Sequence, residues 1–411
     1  MPDAVPEHGD RRSRRTRGAI TVVIASIVTA AGWTAIGSNP PPSAPSNVLA
    51  GPEQPFDDGA REWVPISFDG TGGFTDVVRG PDGIVAVGTG RRIDARPFAY
   101  HSEDGIDWIG AFLPAEPGDV IGSAVWRGDE YVATGYRPDL GSDVPPTVTP
   151  IVWISPDGIT WAQASTEGLP AEGTIVGAVS DGTRITAIGW EGRGVFEPTT
   201  PPPSDAVGRI WISEDGRSWM DVTPPGSASV FTDIIEIDGT LVAGGAAGGR
   251  PAVWTETGQG QWHQTTIETA TDDETVVSLA GREDRLVAIV RTAADVEGLV
   301  SVWSAQLGEA WNRIDRQVPP DSSGWVRWID GTLFAGAGFT RTVFPDGPEL
   351  WTSASGNRWT GIEVTGGVSP WPPTVIAAVS KSGDRVTAFG SRGGMPTAWI
   401  LQPAERDPSE G

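Results

Sequence analysis

The sequence predicts an all-β fold, a seven-bladed β-propeller, on three observations. A phrase ending in tryptophan recurs as SEDGIDW (102–108), SPDGITW (155–161) and SEDGRSW (213–219). An aromatic residue stands eight positions before the final tryptophan of each copy, and the spacing persists where the phrase itself decays. Ahead of these pairs stand stretches in which two short apolar runs flank a turn.

The aromatic pairs are Tyr100–Trp108, Trp153–Trp161, Trp211–Trp219, Trp254–Trp262, Trp303–Trp311 and Trp351–Trp359. The preceding stretches include DVVRGPDGIVAVG (76–88), GAVSDGTRITAIG (177–189), IIEIDGTLVAGG (234–245) and VRWIDGTLFAGAG (326–338). Asp-Gly between alternating apolar runs is a hairpin signal. Each unit therefore reads as two hairpins, four strands A to D in roughly 50 residues, the period of a propeller blade. One twisted four-stranded sheet leaves a face uncovered, whereas a closed ring of them covers both. A seventh stretch, VIAAVSKSGDRVTAFG (375–390), is followed by TAWILQP around Trp399 but by no last strand. REWVPISF (61–68) carries a lone Trp63 and is expected to supply that strand, closing a ring over residues 61–404. Six blades with frayed ends is the alternative.

Composition agrees with one large all-β domain. Of 411 residues, 55 are glycine, 36 proline and 19 tryptophan, a turn-rich chain with ample aromatic core. There is no cysteine, so neither disulfides nor a thiolate metal site enters the argument. The basic N-terminus, residues 1–17, contains Arg11, Arg12, Arg14, Arg15 and Arg17, and an uncharged run follows at 18–37. Twenty such residues just suffice to cross a bilayer as a helix, and the arginines would stay on the cytoplasmic side. The run reads as a transmembrane anchor or a signal peptide, with both readings open. Residues 38–60 are a Pro/Ser-rich linker and 405–411 a disordered tail. The expected location is the cell membrane with an extracytoplasmic C-terminal domain, or outside the cell if the segment is cleaved. Removing residues 1–37, which carry a net excess of two positive charges, takes the net charge from −24 to −26. Such acidity disfavours nucleic acid as a partner.

The recurring phrase falls between the outer strands C and D. There Asp104, Asp157 and Asp215 can accept bonds from turn N–H groups, the adjacent Gly105, Gly158 and Gly216 tolerate positive φ, and the tryptophan packs beneath. The phrases, with Ser102, Ser155 and Ser213 at their head and Trp108, Trp161 and Trp219 at their end, resemble the Asp-box (BNR-type) repeats of the sialidase-like β-propellers. In this shortened form one residue between Asp and Gly is missing. The resemblance implies a turn with a structural role.

Function is therefore expected on the opposite face, where the B–C and D–A loops lie. YRPDLGSDVPPTVTP (136–150) and WEGRGVFEPTTPPPSDAVG (190–208) are long insertions in neighbouring blades of an economical repeat. An arginine follows strand B in every unit. Arg91, Arg137, Arg193, Arg250, Arg341 and Arg392 form a candidate cationic ring for an anionic glycan or cell-envelope polymer, with Trp190 and Trp371 as stacking partners. Arg291 is set aside because its unit has lost the usual glycine. The competing expectation is that acids of the D–A loops, among them Glu116, Asp119, Glu172 and Asp273, pair with these arginines from blade to blade. The functional reading is a binding or scaffold module for a glycan, envelope polymer or protein; the alternative is a glycoside hydrolase of sialidase-like ancestry. That chemistry, as the resemblance implies it, needs an arginine trio and a tyrosine nucleophile. Of Tyr100, Tyr131 and Tyr136, only Tyr136 reads as a loop residue, so no catalytic residue is assigned. No metal or cofactor is expected.

Overall fold

A computed structural model describes residues 61–403 apart from 91–94, 140–145, 195–205, 225, 227–229, 259, 269–272, 293–299, 315–322, 338–349, 357, 365–373 and 384. The basic N-terminus, the apolar run, the linker, the tail, Arg91, Arg341 and Trp371 lie outside the described residues. Among those described, no helix is long and apolar enough to cross a membrane.

The strands form seven antiparallel four-stranded sheets, each a meander from an inner strand to an outer one. Blade 1 contains β2 (Gly73–Gly80), β3 (Gly83–Thr89), β4 (Phe98–Ser102) and β5 (Ile109–Phe112). The next five blades start at β6 (Val120–Trp126), β10 (Gly173–Ser180), β14 (Val230–Ile237), β18 (Glu274–Arg282) and β22 (Ser323–Ile329). Blade 7 joins both ends of the domain. Its strands β26 (Val375–Ser382), β27 (Arg385–Arg392) and β28 (Met395–Pro403) accept β1 (Arg61–Ser67) as the outer strand, with Trp63 opposite Leu401 and Pro65 opposite Trp399. The fold is thus the seven-bladed ring the repeats predict, closed where the lone Trp63 indicates.

Hydrophobic burial drives the closure. Seven apolar clusters lie between consecutive blades, and the seventh unites blades 7 and 1 through Phe389, Ala398, Phe74 and Phe98. The repeated aromatics sit in them: Trp153, Trp211, Trp254 and Trp399 are almost wholly buried. Each such side chain contributes on the order of 3 kcal/mol by leaving water.

One irregularity recurs in every blade. The pairing of the inner strand with the second strand slips by one residue at Phe74/Asp76, Ile121/Ser123, Ile175/Gly177, Phe231/Asp233, Val276/Ser278, Ser323/Trp325 and Ile376/Ala378. A bulge of this kind bends the strand and re-aims the next side chain. It also accounts for the repeated glycine of strand B. A Cβ on Gly135, Gly189 or Gly390 would lie 1.9, 1.9 or 1.8 Å from the carbonyl oxygen of Val120, Thr174 or Val375.

Candidate functional site

The turns at 102–108, 155–161 and 213–219 share one geometry. Ser102, Ser155 and Ser213 accept the N–H of Gly105, Gly158 and Gly216 at 2.7–2.9 Å. One Asp104 oxygen accepts the N–H groups of Ile106 (2.8 Å) and Asp107 (3.0 Å). Asp157 does the same with Ile159 and Thr160, and Asp215 with Arg217 and Ser218. These donors hold Asp104 and Asp215 below the usual carboxylate range. Trp161 and Trp219 are buried beneath the turns, while Trp108 is half-buried. All three carboxylates are occupied by their own backbone. The decayed copy in blade 6 keeps the turn without an aspartate, through Ser353, Gly356 and Trp359.

On the opposite face the structure gives the predicted residues different fates. Trp190 is no stacking platform: it lies on β11 (Ile185–Glu191), is 1% exposed and packs in the core between blades 3 and 4. The strand extends two residues past Gly189, so the indole turns inward. Tyr136, read as a loop residue, is likewise a buried residue of β7 (Tyr131–Asp139). Arg137 donates its Nε and Nη2 to the two carboxylate oxygens of Asp119 at 2.7 and 2.8 Å, and Glu116 lies 3.2 Å from its Nη1. Asp119 is fully buried, and this grip raises the guanidinium pKa further. Arg193 faces Glu172 at 3.5 Å. Both pairs join a B–C loop to the segment entering the same blade, so they brace within blades rather than from blade to blade. Arg250 is exposed at the start of the third strand of blade 4, and Arg392 is half-buried at the last residue of β27.

Arg137 belongs to a ridge. In blades 4 and 7 the hairpin of the second and third strands ends in Gly248–Gly249 and Gly393–Gly394, with pairing closing at Ala247 with Arg250 and Arg392 with Met395. In blade 2 the pairing of β7 with β8 (Thr147–Ser155) continues to Asp139 opposite Thr147. The neighbouring loop docks onto it, Gly194 N–H donating to the Pro146 carbonyl at 2.9 Å. Beside it, Arg209 bonds Glu191 at 2.5 Å.

A third constellation was not singled out from the sequence. The bulges place Asp76, Ser123, Asp233 and Ser278 around the axis, all fully buried. Asp76 accepts Ala124 N–H of the next blade at 2.9 Å, Asp233 accepts Leu279 N–H at 2.7 Å, and Ser278 accepts Val326 N–H at 3.1 Å. These side chains staple inner strands together. Arg327 reaches back to Asp233, its Nη1 and Nη2 donating to the two oxygens at 2.9 and 3.0 Å and Nη1 also to the Leu279 carbonyl at 2.7 Å. The available signal was the tripeptide Phe-Thr-Asp, present at 74–76 and again at 231–233. Two carboxylates that sense each other across an axis suggest acid chemistry. Here each oxygen already holds a backbone or guanidinium donor and lies out of solvent, so the cluster serves the ring. Among the described residues no group of three or more histidine, aspartate or glutamate side chains is arranged to hold a metal.

No protein-family model matches the chain, and no curated protein matches it. Solved structures with a similar fold include YCF48 bound to the D1 peptide, at 16% identity and TM-score 0.53, covering 83% of this chain and 94% of that one. The polysaccharide lyase Uly1 aligns at 10% identity and TM-score 0.51, covering 80% of this chain and 89% of that one. The sialidase of Trypanosoma rangeli with the inhibitor DANA aligns at 12% identity and TM-score 0.46, covering 86% and 60%. Identities this low show the fold alone.

Proposed function

We propose that the chain is an extracytoplasmic binding module that engages a protein or glycan partner through the ridge on blades 2 and 3. The observation that carries this reading is the continuous pairing of β7 with β8 out to Asp139 and Thr147, with the loop of blade 3 seated against it. It is an ordered elaboration on one sector of an otherwise economical ring. Loops that grow on one face of a repeat scaffold are its usual binding surface. Propellers of similar fold bind a peptide in one case and act on a polysaccharide in another, which supports either class of partner. The commitment of Arg137 and Arg193 to Asp119 and Glu172 narrows the anionic-polymer reading, because a ligand would have to displace those pairs. Placement outside the cytoplasm rests on the arginine cluster and the uncharged run of residues 18–37. Arrays of glycans, envelope polymers and peptides probed with residues 38–411 test the binding claim, and retention on none of them contradicts it. Protease added to intact cells tests the placement: an anchored domain is shaved, whereas full protection with cytosolic fractionation refutes it.

A further inference from the structure

Phe74-Thr75-Asp76 in blade 1 and Phe231-Thr232-Asp233 in blade 4 occupy the same place, each followed one blade later by a serine, Ser123 or Ser278. The two sectors are built alike up to this point and then differ in charge balance. Asp233 is held through both oxygens by Arg327 and accepts the Ser278 hydroxyl at 3.0 Å. Asp76 has only backbone donors, Val77 N–H at 2.8 Å and Ala124 N–H at 2.9 Å, and no cationic side chain bonds it among the described residues. Blade 3 has Val179 where blade 6 has Arg327. The Ser123 hydroxyl stands where Ser278 reaches Asp233, is fully buried, and has no hydrogen-bond partner among the described residues. A buried carboxylate without a cation is costly, and so is a buried hydroxyl without a partner.

We propose that Asp76 is a proton-binding switch at the joint between blades 1 and 2: the folded protein holds it as a neutral acid at pH values where a free aspartate is ionised. The proton removes a buried charge that no bonded cation offsets. Burial is the dominant influence and pushes the carboxyl well above the usual range; the Ala124 and Val77 N–H groups and Arg327 oppose it, and Asp233 adds to it. Other charges are remote or committed. The packed strands β3, β6 and β28 carry no ionisable side chain. On β2 itself Arg79 donates to the Lys381 carbonyl; on β26 Lys381 pairs with Asp330, and on β27 Arg385 bonds the Asp104 carbonyl while Arg392, the last residue of the strand, makes no bond to Asp76 among the described residues. A raised folded-state pKa means that the folded chain binds the proton first. The joint is therefore firmest below the free value of about 3.9 and loosens as pH rises through the folded value.

The test is the melting temperature of the full chain and of Asp76→Asn between about pH 5 and 8, where aspartates with lowered values no longer titrate and every other titratable group is common to both proteins. The proposal expects the wild type to gain on the variant as pH falls, whatever the variant's absolute Tm. A difference that stays constant across the range overturns it. Should the variant not fold, carbon NMR of aspartate carboxyls in the wild-type protein decides by itself. One carboxyl titrating far above the rest supports the switch, and every aspartate ionised by about pH 5 refutes it.

Discussion

The two faces of the ring are built on different rules. On the face of the A–B and C–D turns, blades are tied to their neighbours: Arg217 binds both oxygens of Glu130 at 2.8 and 3.0 Å, Arg127 donates to the Glu214 carbonyl, and Arg285 to the Ser355 carbonyl. The seam obeys the same rule, with Arg385 on the Asp104 carbonyl. On the opposite face the ion pairs Arg137–Asp119 and Arg193–Glu172 close within single blades, and neighbouring blades are joined there by backbone bonds, Gly118 N–H to the Ala95 carbonyl at 2.9 Å, Gly194 N–H to Pro146 at 2.9 Å and Asp273 N–H to Gly249 at 2.7 Å. Charged side chains thus tie blade to blade on one face, while on the other they brace within a blade and backbone bonds make the crossing. The ridge of blades 2 and 3 rises on this second face, its two blades joined by the Gly194–Pro146 bond.

If the first face and the core hold the ring, the largest loss should follow from the aromatics between blades. Trp153→Ala, at a site with no exposure, should cost about 3–5 kcal/mol. An unchanged chemical-denaturation midpoint would remove the repeated tryptophan from the account. A smaller effect is expected from Glu130→Gln, which loosens the Arg217 contact between blades 2 and 3 and the Arg127 contact within the turn of blade 2 by at most about 1 kcal/mol, since Arg217 is partly exposed. A loss as large as that of Trp153→Ala would mean that surface ties, not packing, close the ring. Smaller still is the acid response of the turns. Backbone donors hold Asp104 and Asp215 below their free values, so their contribution is present above about pH 4 and disappears as pH falls through the lowered values. Asp104→Asn with Asp215→Asn should flatten the acid limb of the Tm profile and leave its neutral limb in shape. A steepened acid limb would contradict the assignment.

Most of the ring was legible because its determinants are local. Eight-residue aromatic spacing reports a C–D hairpin, Asp-Gly an A–B hairpin, and the unpaired Trp63 the closing strand; at Asp238-Gly239 and Asp330-Gly331 both residues adopt positive φ, as such a turn requires. The site was less legible because its determinants are not. Whether Arg137 is open or gripped depends on where Asp119 enters the same blade, and whether Trp190 faces solvent depends on how far β11 runs past Gly189. The axial staples needed the bulge. It leaves no trace in hydrophobic periodicity, although the repeated Phe-Thr-Asp would have marked two of its seven occurrences.

The face comparison is tested most directly by shortening the ridge. A variant in which residues 139–147 are replaced by a Gly-Gly turn, as in blades 4 and 7, removes the Asp139–Thr147 end of the pairing and the Gly194 contact, keeps the buried Val148, and leaves the interblade cores and the opposite face untouched. Its melting curve and its binding isotherm, measured against whichever partner the arrays identify, should separate: the Tm within a few degrees of the parent, the binding lost. A variant that binds as the parent does, or one that unfolds with the ridge, would contradict the division between a face that holds the ring and a face that meets the partner.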